Sequence, residues 1–180
     1  MRARPASPVV LLASSRSEGN TFALARLVLP EESAPLINLG ALHISYYSYS
    51  NENAADDFLP LVEELVTSPL WVLATPLYWY SMSASVKLYL DYWAGWERLP
   101  GVDFKPRMRG KTLWAVSVMA DDDLAVADPL VQILQRSARY LDARFAGALL
   151  GSGSWPDDIA KDAAAVERAR GYFDLNPLPR

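Results

Sequence analysis

Five short apolar runs punctuate this chain, at residues 8–13, 35–39, 70–74, 112–119 and 144–150. Each is of strand length and shows little polar alternation, which predicts strands covered on both faces, as in a parallel sheet. Between them the period changes. Phe22, Leu24, Ala25, Leu27 and Val28 mark a first helix that ends before Pro30, and Phe58, Leu61, Val62 and Leu65 mark a second over residues 54–67. Asp56 and Asp57 fall in its expected first turn, where acids favour the helix dipole. Further helices are predicted over residues 83–96, 129–141 and 157–173, and residues 101–110, rich in basic residues and proline, read as a loop. The alternation of strand and helix, without repeats or an internal linker, predicts one doubly wound α/β domain over residues 1–180, with 1–7 and 174–180 as frayed tails.

Two strand ends break into loops of uncommon composition. The first strand runs into Ser14, Ser15, Arg16, Ser17, Glu18, Gly19, Asn20 and Thr21 before a helix opens. The first N–H groups of a helix lack partners and carry partial positive charge, so such a junction suits an anion. Ser14, Ser15 and Thr21 add hydroxyls, Asn20 an amide, Arg16 a charge, and Gly19 lets the backbone approach closely. The same residue types also serve as an N-cap and turn, but a run this long exceeds what one cap needs. The third strand must stop at Thr75 and Pro76, because proline cannot donate to a ladder. Leu77, Tyr78, Trp79 and Tyr80, ahead of Ser81, then place large side chains, most of them flat rings, at the carboxyl end of the sheet, where they would hold a flat ligand or form a hydrophobic contact. A third loop follows the fourth strand, where the backbone of Met119, Ala120 and Asp121 would face the same ligand.

Absences narrow that ligand. There is no GKS or GKT for a nucleotide cradle and no GxGxxG, and the second strand ends at Gly40 without an acid for a ribose hydroxyl. A phosphate loop beside an aromatic loop fits a phosphorylated, uncharged ring system such as flavin mononucleotide (FMN). A flavodoxin-like three-layer sandwich, with a five-stranded parallel sheet in the order 2-1-3-4-5, sets those loops side by side.

The strings LLASSRSEGNTFALA and ATPLYWYSMSASVK resemble the two signature segments of the NAD(P)H-dependent FMN reductase family, a branch of the flavodoxin-like superfamily. The intervening INLGALHISYYSYSNENAADDFLPLVEEL is similar to one branch in its spacing, and the resemblance extends over about residues 8–151. It implies that Ser14, Arg16, Asn20 and Thr21 hold the FMN phosphate, and that residues 76–81 line the ribityl chain and one edge of the isoalloxazine. It also implies an oxidoreductase that passes hydride from NAD(P)H through FMN to a quinone, flavin, azo or nitro compound or metal ion by a ping-pong mechanism. The chain departs from many relatives at Asp91, which is followed by Tyr92 instead of arginine. It has no cysteine, which excludes the iron–sulfur cluster that some relatives carry, along with thiol catalysis and disulfides.

Other features bear on class and partners. A net charge of -4 leaves no basic footprint for nucleic acid, and it is mild for an electron carrier that docks through an acidic face. The opening MRARPASP lacks the apolar stretch of a signal peptide and no run is of membrane length, so a cytoplasmic enzyme is expected. His43 is the only histidine and reads as a loop residue. Asp121, Asp122 and Asp123 read as a solvated loop, because three adjacent acids rarely converge on one ion. Tyr46, Tyr47 and Tyr49 would shield the ring's other side or pack a subunit contact, and the Tyr89, Tyr92, Trp93 and Trp96 stripe reads as core or as the interface of a homodimer. No catalytic side chain and no metal site are expected. The rival readings are a flavodoxin-type electron carrier without efficient NAD(P)H oxidation, and a flavin-free phospholigand-binding module.

Overall fold

The computed structural model of the chain describes residues 8–16, 18–29, 36–50, 56–170 and 172. Ser17, Pro30, Pro35, Ala54, Phe173 and both expected tails lie outside these residues. The strands are β1 (Val9–Leu12), β2 (Leu36–Asn38), β3 (Leu70–Ala74), β4 (Thr112–Met119) and β5 (Arg144–Ser152). All pair in parallel, in the order β2-β1-β3-β4-β5. Around them lie α1 (Asn20–Val28), α2 (Phe58–Leu65), α3 (Ala84–Trp96), α4 (Phe104–Met108), α5 (Asp128–Tyr140) and α6 (Ala163–Arg170).

Successive strand residues face opposite sides of a sheet. Val9, Leu11, Trp71, Leu73, Leu113 and Ala115 therefore enter one core, covered by α2, α3, α4 and α5. Val10, Leu12, Leu70, Val72, Trp114 and Val116 enter the other, covered by α1 and α6. Cover on both sides is why these strands read as unbroken apolar runs.

The first core is aromatic. Phe58 stacks on Tyr92 with centroids 3.9 Å apart and planes 7° from parallel, and Trp96 meets Phe104 edge-on at 5.1 Å. Tyr89, Tyr92, Trp93 and Trp96 are all buried. The stripe on α3 is thus core of this chain, the first of its two expected readings: its rings face α2, α4 and β3. The second core uses small residues instead. A Cβ added at Gly151 would lie 2.5 Å from Ile159 Cδ1 and 3.2 Å from Ala165 Cβ, so glycine there lets the chain after β5 fold down closely beside α1.

β3 and β4 have the expected bounds, the ends of β1, β2 and α5 differ by about a residue, and four segments differ in more than that. Residues 101–110 contain α4 instead of a plain loop. Pro106 sits in the first turn, where its missing N–H costs nothing, and Phe104 and Met108 bury the same face. Asp56 and Asp57 precede α2 and do not join it. Asp56 Oδ1 accepts from the Phe58 N–H at 3.0 Å, and Asp57 Oδ2 from the His43 N–H at 2.6 Å, so these acids pin the segment after β2 to the helix start. β5 continues two residues past the expected end, to Ser152. The last helix is broken into a 3-10 turn, Asp158–Lys161, and α6, because Asp162 accepts from the Ala165 N–H at 2.9 Å and caps a new helix. No helix among the described residues is long and apolar enough to cross a membrane.

Candidate functional site

A cavity of about 320 Å³ opens at the carboxyl ends of β1, β3, β4 and β5. Its first wall is Ser14, Ser15, Arg16, Gly19, Asn20 and Thr21. The chain leaves the sheet there as the Ala13 N–H donates to the Ala74 carbonyl, and Ser14 Oγ accepts from the Arg16 N–H at 3.3 Å to turn it. Gly19 occupies the N-cap of α1 and no side chain caps that helix, so its first turn meets the cavity with N–H groups available to an anion. Among the described residues, Arg16 is the one charged side chain on the wall. Three hydroxyls, a guanidinium and an uncapped helix end, with no carboxylate among these residues, form a donor set that fits a phosphate dianion.

The facing wall is Pro76, Leu77, Tyr78, Val118, Met119 and Ala120. Leu77 donates its N–H to the Val118 carbonyl at 3.1 Å, so the chain runs alongside β4 past the end of β3. The Tyr78 hydroxyl shares a hydrogen bond with Ser15 Oγ at 2.9 Å and joins the two walls. The apolar side of the cavity suits the edge of a flat ring.

Four expected residues stand elsewhere. Trp79, Tyr80, Ser81 and Asp121 do not line the cavity. Tyr78 and Ser81 exchange two backbone hydrogen bonds, of 2.9 and 3.0 Å, which closes a two-residue turn with Trp79 at φ 49° and Tyr80 at φ 64°. That left-handed turn carries the rings out to solvent, and Trp79 is 93% exposed. Asp121 is drawn into its own loop, where Oδ1 accepts from the Asp123 N–H at 2.9 Å, while Asp122 Oδ1 accepts from Ser152 Oγ at 2.7 Å. All three acids are exposed, and no cluster fit to hold a metal ion exists among the described residues. Tyr46 and Tyr49 are exposed, whereas Tyr47 packs edge-on against Tyr92 at 5.7 Å. His43 is exposed.

Asn20 lines the cavity, yet its amide faces the segment after β5. Nδ2 donates to the Trp155 carbonyl at 2.8 Å and Oδ1 accepts from the Ile159 N–H at 3.3 Å. Nearby, a hydrogen bond from Lys161, reinforced by the Trp155 N–H, holds the Asp158 carboxyl below its ordinary range. Burial would raise the pKa of Asp162, but the N–H groups of Ser152 and Ala165 outweigh it and the carboxyl stays low.

Sequence reasoning missed two groups. Gly153 and Ser154 complete the cavity from beyond β5. Thr75 and Ser83, both buried, brace the chain next to lining residues Ser14 and Pro76: Thr75 Oγ1 accepts from the Ser83 N–H at 2.9 Å, and Ser83 Oγ donates to the Ala13 carbonyl at 2.7 Å. This network ties β1, β3 and the start of α3 together. A threonine closing an otherwise apolar strand was its one signal in the sequence.

Comparison with known proteins agrees with this geometry. The model of the NADPH-dependent FMN reductase family matches residues 8–147. YwqN of Bacillus subtilis (strain 168), whose name assigns it provisionally to the NAD(P)H-dependent FMN-containing oxidoreductases, is 29% identical over 167 residues, or 89% of this chain and 92% of that protein. The structure of Trp repressor binding protein from Bacillus subtilis superposes with a TM-score of 0.79 at 28% identity, over 92% of this chain and 96% of that one. General stress protein 14 of Treponema denticola, solved in complex with FMN, shares the fold at a TM-score of 0.67 and 15% identity, over 94% of this chain and 98% of its own. The chain therefore belongs to the NADPH-dependent FMN reductase family, and is an NAD(P)H-dependent oxidoreductase that uses FMN as its cofactor.

Proposed function

We propose that this single-domain protein passes reducing equivalents from NAD(P)H to a quinone, flavin, azo or nitro compound or metal ion, with donor and acceptor using one site in turn. The observation that carries the placement is the uncapped N-terminus of α1, set among Ser14, Ser15, Arg16 and Thr21 in a cavity whose opposite wall is apolar. Ser14, Ser15, Arg16, Gly19 and Thr21 would hold the phosphate of FMN. Pro76, Leu77, Tyr78, Met119 and Ala120 would border the ribityl chain and ring. Bound FMN supplies the hydride-accepting ring, while the protein binds, orients and shields it.

In the same reading the enzyme works in the cytoplasm as a homodimer, without nucleic acid or membrane partners, and its subunit contact lies away from the buried α3 stripe. Light scattering on the purified protein tests the dimer. The mechanism is tested by initial rates of NADPH oxidation at several concentrations of a soluble quinone. Parallel double-reciprocal lines are expected. Intersecting lines would require both substrates to be bound together and would overturn the shared site, and negligible NADPH oxidation by the flavin-loaded protein would favour an electron carrier.

A further inference from the structure

The segment that follows β5 meets the cavity as a folded unit. Its start is fixed to β4, because the Gly153 N–H donates to the Met119 carbonyl at 2.7 Å. Its middle closes on itself: the Trp155 N–H donates to Asp158 Oδ2 at 2.7 Å, and the Asp158 N–H to the Trp155 carbonyl at 3.1 Å. One side chain joins this unit to the anion loop. Asn20 donates to the Trp155 carbonyl and accepts from the Ile159 N–H, so both ends of its amide engage backbone distant in sequence. The contact is also close in space. A Cβ built on Gly153 would lie 2.9 Å from Asn20 Nδ2 and 3.1 Å from the Ile159 nitrogen.

We propose that Asn20 is a positioning residue, which latches the segment after β5 to the start of α1 and thereby holds the Gly153 and Ser154 wall against the cofactor. The proposal rests on FMN occupying this cavity with its phosphate at the Ser14–Thr21 loop. Without the amide, the Ile159 N–H loses its side-chain partner and the Trp155 carbonyl keeps only its contact within the turn. The wall then opens more often, and whatever lies behind it leaves faster. Asn20 Nδ2 carries a second hydrogen, so direct donation to phosphate is the competing role.

The test compares the full-length wild type with Asn20→Ala, Gly153→Ala and the double variant. Hydrogen exchange in the cofactor-free chain should become about tenfold faster at residues 153–159 in Asn20→Ala, the loss expected of a hydrogen bond or two, with β4 unchanged. By stopped flow, FMN and riboflavin should both dissociate about tenfold faster from either single variant. The double variant should be no more than about twofold worse than the faster single one, because both changes strike one latch. Unaltered exchange at residues 153–159, with faster release of FMN alone, would make Asn20 a phosphate ligand and overturn the proposal. Multiplying effects in the double variant would overturn it as well. Should Asn20→Ala fail to fold, Gly153→Ala carries the same exchange and release criteria. The phosphate assignment fails separately, if Thr21→Ala leaves the preference for FMN over riboflavin intact while the exchange result stands.

Discussion

The two loops that wall the cavity began with equal claims and ended differently. In the loop after β1, all six residues assigned to the ligand line the cavity, although Ser15 is bonded to Tyr78 and the Asn20 amide to the backbone of Trp155 and Ile159. In the loop after β3, only Pro76, Leu77 and Tyr78 do so, and the two largest rings point into solvent. The difference lies in what each loop contributes. A phosphate site needs small donors and backbone N–H groups, and these face a helix N-terminus wherever the helix begins. An aromatic wall needs a ring aimed in a particular direction, which depends on local φ and ψ. Trp79 and Tyr80 adopt left-handed conformations that bulky residues avoid, and that choice sends both rings outward.

The largest effect tests the first loop. Ser14→Ala combined with Thr21→Ala removes two donors to a dianion, each contributing roughly 1.5–3 kcal/mol. FMN affinity should fall by at least about two orders of magnitude, and riboflavin affinity by less than about threefold, in fluorescence titrations of the cofactor-free protein. Equal losses for the two ligands would erase the contrast between a polar and an apolar wall.

An intermediate effect divides the second loop. Tyr78→Ala should weaken FMN binding about tenfold, through loss of ring contact and of the bond to Ser15, whereas Trp79→Ala should change it by less than about twofold. The same titration decides. A Trp79 loss as large as that of Tyr78 would restore the indole to the flavin wall and break the comparison.

The smallest effect concerns the strain in that loop. A two-residue turn with both residues left-handed is the preferred setting of Asn-Gly. Trp79→Asn with Tyr80→Gly should therefore stabilise the protein by about 1 kcal/mol, seen as a rise in Tm of roughly 2–4 °C in thermal unfolding. A fall in Tm would mean that the two rings make stabilising contacts, contrary to the exposure of Trp79.

Much of the fold was legible because it is local. Leu70–Ala74 and Thr112–Met119 have the bounds that unbroken apolar runs predict, and Pro76 ends the ladder by lacking an N–H. Strand–helix alternation pointed to a doubly wound sheet, and its strand order followed from setting the loops after the first and third strands side by side. Tertiary structure decided the rest, because it sets directions and distant partners. The α3 aromatics had a helical period, but only the placement of α2 and α4 made them core. Thr75 and Ser83 found each other across the start of α3, and Gly153 and Ser154 reached the cavity from beyond β5. Asn20 had the chemistry of a phosphate ligand, yet the backbone groups its amide meets belong to Trp155 and Ile159, more than a hundred residues away. Residue type specifies which bonds a side chain can make, whereas close packing of distant segments determines which of those bonds it makes.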